Sequence, residues 1–186
     1  MSIAETPRLF TVADYYAMAE AGILLPNERV ELINGKVVSM SPQSSLHASL
    51  LTLIGDLLSE RIEANVIVRR QLPIHLDSLN EPEPDIAVVA FRQDRYRDRH
   101  PVPNDVSLIV EVGVSSWKQD RREKLATYSQ AGIVEVWLVN AARRTIEIRR
   151  EPRDGVYMTD IEVSATDRFG PNAYSEAQFE LAELFT

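Results

Sequence analysis

The chain of 186 residues contains no cysteine, which excludes disulfide bonds, thiolate zinc sites and cysteine nucleophiles. It also lacks an apolar run of the roughly 20 residues that cross a bilayer. Its first residues, MSIAETPRLF, lack the basic and then apolar pattern of a secretion signal. We therefore expect a soluble, cytoplasmic protein without membrane contact.

Net positive charge is missing too. The formal charge of -8 at pH 7 argues against a surface coated in phosphate-binding side chains, although a local basic surface is compatible with it. Hydrophobic residues make up 45% and charged residues 26% of the chain, which is typical of a folded globular protein. The length is that of one domain, and we expect residues 1–186 to form a single unit.

The first half of the chain carries clear local signals. Thr11 followed by Asp14 predicts a capped helix that ends at Gly22. Asn34-Gly35, flanked by alternating residues, predicts a hairpin of two antiparallel strands. A serine-capped helix is predicted after SPQSS, because apolar residues then recur at helical spacing. That buried stripe comprises Leu46, Leu50, Leu53, Ile54, Leu57, Leu58 and Ile62.

The second half alternates strand and helix patterns. Strands are predicted at Val66–Arg69, Leu72–Leu76, Asp85–Ala90 and in SLIVEVGV. A helix follows in WKQDRREKLATYSQAG, then a strand pair in VEVWLVN and TIEIRR, and a weaker tail with one strand and a helical turn. The segment from Leu108 to Leu138 has the order of a right-handed parallel crossover. The predicted fold class is α/β, a mixed β-sheet flanked by helices.

Three acidic residues interrupt otherwise apolar strands: Glu31 in VELI, Asp85 in PDIAVV and Glu111 in LIVEVGV. A carboxylate in a buried strand needs a metal, a cation or several hydrogen-bond donors. Three of them on neighbouring strands suggest a shared ligand. Ligands that are all oxygen suit a hard cation, and a small number of them suits Mg²⁺ or Mn²⁺.

Pro84-Asp85, followed about two dozen residues later by Glu111-Val112-Gly113, resembles the PD-(D/E)XK nuclease superfamily. More narrowly, the chain resembles the Uma2 family, also called DUF820, of restriction-endonuclease-like proteins. The matching segments run in family order over roughly residues 8 to 150: VELINGKVVSMSP, SSLHASLL, PEPDIAVV, LIVEVGVSS and DRREKLATYSQAGIVEVWLVN. Each segment is short, but their joint order is fairly specific.

The resemblance implies a restriction-endonuclease-like core and a site. Asp85 and Glu111 would hold the metal, with Glu31 as a third ligand, direct or through water. The superfamily lysine, two residues after the glutamate, is replaced by Gly113. Lys118 and Lys124 are the nearest candidates for its role, and Lys124 is preferred because it matches the family's helical segment. His47 also matches the family pattern and is a secondary site candidate.

The function implied by the resemblance is hydrolysis of DNA phosphodiester bonds by an endonuclease that uses Mg²⁺ or Mn²⁺, working as a homodimer. The resemblance also divides the domain into an N-terminal helix and hairpin at 9–40, a nuclease-like core at 41–150 and a C-terminal extension at 151–186. The alternative is a non-catalytic nucleic-acid or protein interaction module on the same fold. A sugar-cleaving enzyme with paired carboxylates is disfavoured, because no aromatic platform is visible.

Plainer interpretations of the same residues stay open. Asp85 could cap a turn, Glu31 could pair with an arginine, and Lys124 could pair with Asp120 on the helix surface. His47 could be structural. Ser115 and Ser116 lack a histidine and an acid to activate them and suit a turn or a helix cap. Tyr128 and Trp137 are expected to pack in the core.

Overall fold

The computed structural model describes residues 7–113, 120–164 and 166–185. The helices in these ranges are α1 (Val12–Glu20), α2 (Ser45–Arg61) and α3 (Asp120–Gln130). Before α3 come five strands: β1 (Val30–Ile33), β2 (Lys36–Ser39), β3 (Val66–Arg70), β4 (Ile86–Ala90) and β5 (Val106–Gly113). After it come another five: β6 (Glu135–Asn140), β7 (Thr145–Arg153), β8 (Val156–Val163), β9 (Arg168–Phe169) and β10 (Phe179–Glu180). Short 3₁₀ turns occur at Pro103–Asp105 and Leu181–Leu184.

A six-stranded mixed sheet, in the order β3-β4-β5-β6-β7-β8, forms the centre of the molecule. Its neighbouring strands are antiparallel except for β5 and β6, which run parallel and are joined through α3. The predicted α/β class with a mixed sheet is confirmed, and so is the parallel pairing around the third helix. The predicted strand pair formed by β6 and β7 is present as well.

The two faces of the sheet support two separate cores, because successive side chains of a strand point to opposite faces. Val110 and Val112 of β5 pack with α2 and with the C-terminal aromatic residues, whereas Ile109 packs with α3. Glu111 therefore belongs to the face that α3 covers. Trp137 is fully buried on the α2 face, as expected, and packs edge-on against Phe169 and Phe179.

The N-terminal elements are built from strong local signals. The Thr11 hydroxyl accepts a hydrogen bond from the Asp14 N–H, and the Asp14 carboxylate accepts one in return from the Thr11 N–H, so the predicted capping box is confirmed. Asn34 and Gly35 have φ values of 49° and 69°, the left-handed pair that a two-residue hairpin turn requires. The hairpin β1–β2 is anchored through Leu32, which forms a bridge with Glu81.

Three predictions of local structure are wrong. Leu72–Leu76 is not a strand, because Pro73 offers no N–H and the Ile74 N–H is bonded to Pro82 within the same loop. Leu46 is 46% exposed at the start of α2, where the helix extends beyond the core. The tail contains β8, β9 and β10 rather than one strand.

The start of one predicted strand also differs from the structure. The strand predicted at Asp85–Ala90 begins at Ile86, so Asp85 lies just before it. The predicted roles of Ser115, Ser116 and Lys118 fall outside the described residues. No helix in the described part of the chain is long and apolar enough to cross a membrane.

Candidate active site

A cavity of about 360 Å³ lies between the β1–β2 hairpin, the start of α2, the facing ends of β4 and β5, and α3. Strands β4 and β5 are antiparallel with Ile86 opposite Val110, which brings the residue before β4 beside the end of β5. The five predicted site residues all line this cavity: Glu31, His47, Asp85, Glu111 and Lys124. The fold thus gathers residues that are up to 93 positions apart in the sequence (124 - 31).

Asp85 is fixed by three donors. Its Oδ2 accepts a 2.8 Å hydrogen bond from the backbone N–H of Val112 and lies 3.1 Å from Nε2 of His47. Its Oδ1 accepts a 3.3 Å bond from the Gln71 side-chain amide. The Asp85 side chain is 11% exposed. Asp85 is therefore a preorganised carboxylate at the wall of the cavity, and it does more than cap a turn.

His47 is held against Asp85 by the first turn of α2. The hydrogen bond to Asp85 raises the pKa of His47, while partial burial acts in the opposite direction. Asp85 thus favours the charged imidazolium of His47 over the neutral ring. His47 accordingly orients Asp85 and offsets part of its charge.

Lys124 reaches from α3 into the acidic cluster. Its Nζ lies 2.9 Å from Oε2 of Glu31 and 3.6 Å from Oε1 of Glu111. Burial lowers the pKa of Lys124, but the two carboxylates outweigh burial and raise it above its usual value. Lys124 is therefore a permanent cation here. Among the described residues, Glu31 therefore pairs with Lys124 and not with an arginine, the partner that the plainer interpretation of the sequence suggested.

Glu111 is the carboxyl group of the cavity whose pKa is raised furthest from its ordinary value. Burial raises its pKa to about 7, with a further increase from Asp85, while Lys124 and the Tyr128 hydroxyl oppose the shift. The Tyr128 hydroxyl donates a 2.6 Å hydrogen bond to Oε1 of Glu111. Burial also raises the pKa of Tyr128 well above its usual value, so its phenol stays a neutral donor.

The cavity holds more negative than positive charge. Glu83 also lines it, and burial raises the pKa of this carboxyl, with a smaller contribution from Glu31. The Glu83 backbone N–H donates a 3.1 Å hydrogen bond to Glu31. Arg29 is a further cationic residue of the cavity wall. A pocket with this excess of carboxylates favours the binding of a cation.

The donor set fits a hard divalent cation that needs few protein ligands. Among the described residues, no three His, Asp or Glu side chains are arranged as a complete metal site. Mg²⁺ in phosphoryl-transfer sites is commonly held by one or two carboxylates, with water and substrate phosphate as its other ligands. Asp85 and Glu111 line the same cavity and are the carboxylates that could hold such an ion, with Glu31 next to Lys124.

Three partners in the site were not expected from the sequence. Tyr128 was expected only to pack, yet its hydroxyl contacts Glu111. Gln71 and the Val112 N–H carry no chemical signal, since an amide side chain in a loop and a backbone group in a strand are common. Tyr128 could have been noticed, because it lies four residues after Lys124 and shares its helix face.

A comparison with solved structures identifies a protein of similar fold. A crystal structure of a "putative nuclease belonging to DUF820" from Anabaena variabilis ATCC 29413 superposes with a TM-score of 0.74. The similarity covers 95% of this chain and 97% of that one at 14% identity, so it shows the fold alone. This chain therefore has the same fold as that protein.

The family follows from a second comparison. The model of the Uma2 family, described as "Putative restriction endonuclease", matches residues 12–182. The chain belongs to the Uma2 family, which confirms the resemblance seen in the sequence. None of the curated proteins compared with the chain matches it.

Proposed function

We propose that this protein is a divalent-metal-dependent endonuclease that hydrolyses DNA phosphodiester bonds. Membership of the Uma2 family supports a nuclease-like function in general. The observation that carries the more specific proposal is Lys124, whose ammonium group lies between Glu31 and Glu111 in the Asp85 cavity.

The residues have separate roles in this proposal. Asp85 and Glu111 would hold the divalent ion, with Glu31 as a further ligand, direct or through water. When bound, that ion polarises the scissile phosphate and makes a neighbouring water more acidic. His47 and the Val112 N–H keep Asp85 in place, so the carboxylate needs little reorganisation when substrate arrives.

Lys124 supplies fixed positive charge beside the reacting phosphate. Its raised pKa keeps it protonated, which suits the orientation of the attacking water and the stabilisation of charge on the phosphate oxygens. A protonated lysine cannot act as the general base. Arg29 at the cavity wall offers a second cation for a backbone phosphate of the bound strand.

The cytoplasmic location and the homodimer expected from the sequence remain predictions. The single-domain assignment, with its divisions at 9–40, 41–150 and 151–186, remains one as well. Since the net charge is -8, we propose that DNA approaches the cavity through local cations such as Arg29 and Lys124.

A non-catalytic interaction module is the second candidate. The observation that favours it is that protein donors already bind the acidic cluster: Lys124 contacts Glu31 and Glu111, and Val112 contacts Asp85. A structural ion-pair network could have this arrangement. Metal binding and turnover are the properties that separate the two candidates.

The test is nicking of supercoiled plasmid with Mg²⁺ or Mn²⁺, with EDTA as the metal-free reaction. Wild type should nick only with metal. Asp85→Ala should reduce the rate to background, and Asp98→Ala, at an exposed aspartate outside the cavity, should leave the rate unchanged. Equal nicking by wild type and Asp85→Ala would mean contamination and would overturn the site assignment. No cleavage of plasmid, single-stranded DNA or RNA would favour the interaction module.

A further inference from the structure

Tyr128 differs from the buried Tyr96 and the half-buried Tyr157 in the group that accepts its hydrogen bond. The hydroxyls of Tyr96 and Tyr157 donate to backbone carbonyls, those of Ala90 and Ile133. Tyr128 is 1% exposed and donates to the carboxylate of Glu111. A carbonyl partner satisfies a buried hydroxyl fully, so satisfaction alone does not require an ionisable group there.

The contact is aimed at one oxygen of Glu111. Both Tyr128 and Lys124 approach Oε1, at 2.6 Å and 3.6 Å. The other oxygen, Oε2, accepts no hydrogen bond from the described residues, and it is not among the buried atoms that lack a partner. Oε2 is therefore the carboxylate oxygen that remains open to the cavity.

The two contacts come from one rigid element. Lys124 and Tyr128 are four residues apart on α3, so their side chains lie one above the other on a single helix face. Tyr128 also packs in the apolar cluster between α3 and the sheet, beside Ile109 and Leu138. This packing fixes the ring, and the ring in turn fixes the orientation of the carboxylate.

We infer that Tyr128 is a positioning residue, which holds Oε1 of Glu111 so that Oε2 is presented to a divalent ion in the cavity. The inference rests on the proposed function, because it assigns Glu111 to a metal. Groups that orient a ligand in this way typically contribute 10–100-fold to metal affinity. The expected effect of Tyr128→Phe is thus a loss of about tenfold in metal affinity.

The test measures Mn²⁺ binding to the full chain without DNA, by calorimetry, for wild type, Tyr128→Phe, Tyr157→Phe and Tyr96→Phe. Each substitution removes one hydroxyl that donates one hydrogen bond, so the three variants should lose similar thermal stability. Only Tyr128→Phe should raise the Kd for Mn²⁺. In plasmid nicking at saturating Mn²⁺, it should also lower kcat and leave KM for DNA unchanged.

Three results would overturn the inference in distinguishable ways. If wild type binds Mn²⁺ and nicks DNA but Tyr128→Phe binds Mn²⁺ equally well, the proposed function stands and Tyr128 only packs. If wild type neither binds Mn²⁺ nor nicks DNA, the proposed function fails and the inference fails with it. A Kd raised equally in all three variants would mean a general loss of stability, which also contradicts a positioning role.

Discussion

At the scale of single residues, charge balance in the cavity depends on Lys124. The Glu31 and Lys124 side chains are 7% and 18% exposed, so little solvent screens their attraction. Removing one member of a buried ion pair leaves the other charge without compensation, which commonly costs 3–5 kcal/mol. The cavity is partly open to solvent, so a smaller loss is expected here.

Lys124→Met should lower the free energy of unfolding by about 2–4 kcal/mol in EDTA, because Glu31 and Glu111 lose their shared cation. Lys36→Met, at an exposed position of β2, is the matched control and should change little. Urea denaturation measures both. Mg²⁺ should stabilise Lys124→Met more than wild type, since an ion can replace the missing charge. An equal, small loss in both variants would contradict the role given to Lys124.

The raised pKa of Glu111 predicts a pH dependence of stability. The folded protein keeps a proton on Glu111 up to about pH 7, whereas the unfolded chain loses it near the ordinary value of 4.5. Between these values the folded state binds more protons, so the contribution of Glu111 to stability is present at low pH and lost as pH rises. That loss should total at most about 3 kcal/mol.

Glu111→Gln, which cannot titrate, should remove this part of the pH dependence. The measurement is the free energy of unfolding of both proteins in EDTA between about pH 4.5 and 8. The expected result is that wild type loses stability relative to Glu111→Gln as pH rises. A constant difference between the two proteins across this range would show that burial does not raise the pKa of Glu111.

At the scale of elements, the hairpin β1–β2 carries Glu31 to the site and is itself held by the N-terminal segment. Gly35 lies in the hairpin turn with φ 69°, and a Cβ there would meet the Leu9 Cβ at 2.7 Å. Gly22 has a similar φ of 72°, but nothing lies within 4 Å of a Cβ at that position. Comparing substitutions at these two glycines therefore distinguishes the cost of left-handed backbone from the cost of a clash with Leu9.

Both Gly35→Ala and Gly22→Ala should lose about 1 kcal/mol of unfolding free energy, from the left-handed backbone alone. Gly35→Ala should lose more, because Leu9 must move. It should also weaken Mn²⁺ binding, since the hairpin that carries Glu31 shifts. Urea denaturation and calorimetry measure the two effects. Equal losses in both variants, with Mn²⁺ affinity unchanged, would mean that the hairpin does not position Glu31.

Elements with strong local chemistry were predictable from the sequence. Asn34-Gly35 requires left-handed backbone, and Thr11 with Asp14 closes a capping box, so neither depends on distant contacts. Leu72–Leu76 failed for the opposite reason. Its apolar side chains Ile74 and Leu76 are buried, but its backbone N–H groups bond to loop residues, Pro82, Asn80 and Pro101, rather than to a strand. Side-chain pattern alone does not distinguish these cases.

The candidate site was predictable in its residues but not in its contacts. Asp85 and Glu111 were conspicuous because they interrupt apolar strands, and Lys124 was reached only through the family resemblance. Lys124 and Tyr128 both approach Oε1 of Glu111. This contact depends on how α3 packs against β5. That packing is set by side chains from several strands, which a single sequence does not pair.

At the scale of the whole molecule, the two cores have different tasks. The face covered by α2 and the C-terminal segment holds the apolar core around Trp137, whose indole N–H donates a hydrogen bond to the buried Glu135 carboxylate. The opposite face holds the α3 core, and the acidic cavity lies at the ends of β4 and β5, between α3 and the start of α2. The C-terminal segment was the weakest part of the sequence analysis, because β9 and β10 have two residues each. Elements so short carry no periodicity to detect.

Phe179→Ala tests whether the apolar core around Trp137 can be weakened without changing metal binding in the cavity. Phe179 is 1% exposed and packs against Trp137 and Phe169, so its removal should cost about 3–4 kcal/mol of unfolding free energy. The Mn²⁺ affinity of the folded variant should stay unchanged, since Phe179 does not line the cavity. Urea denaturation and calorimetry give the two values. A parallel loss of metal affinity would mean that the two faces are coupled.

The central claim is that Asp85 and Glu111 form a divalent metal site, and anomalous diffraction from crystals soaked in Mn²⁺ tests it most directly. The account predicts an anomalous peak inside the cavity, in contact with both carboxylates, that is absent from crystals of Asp85→Ala. No peak in the cavity at saturating Mn²⁺, or a peak only at another place on the protein, would contradict it.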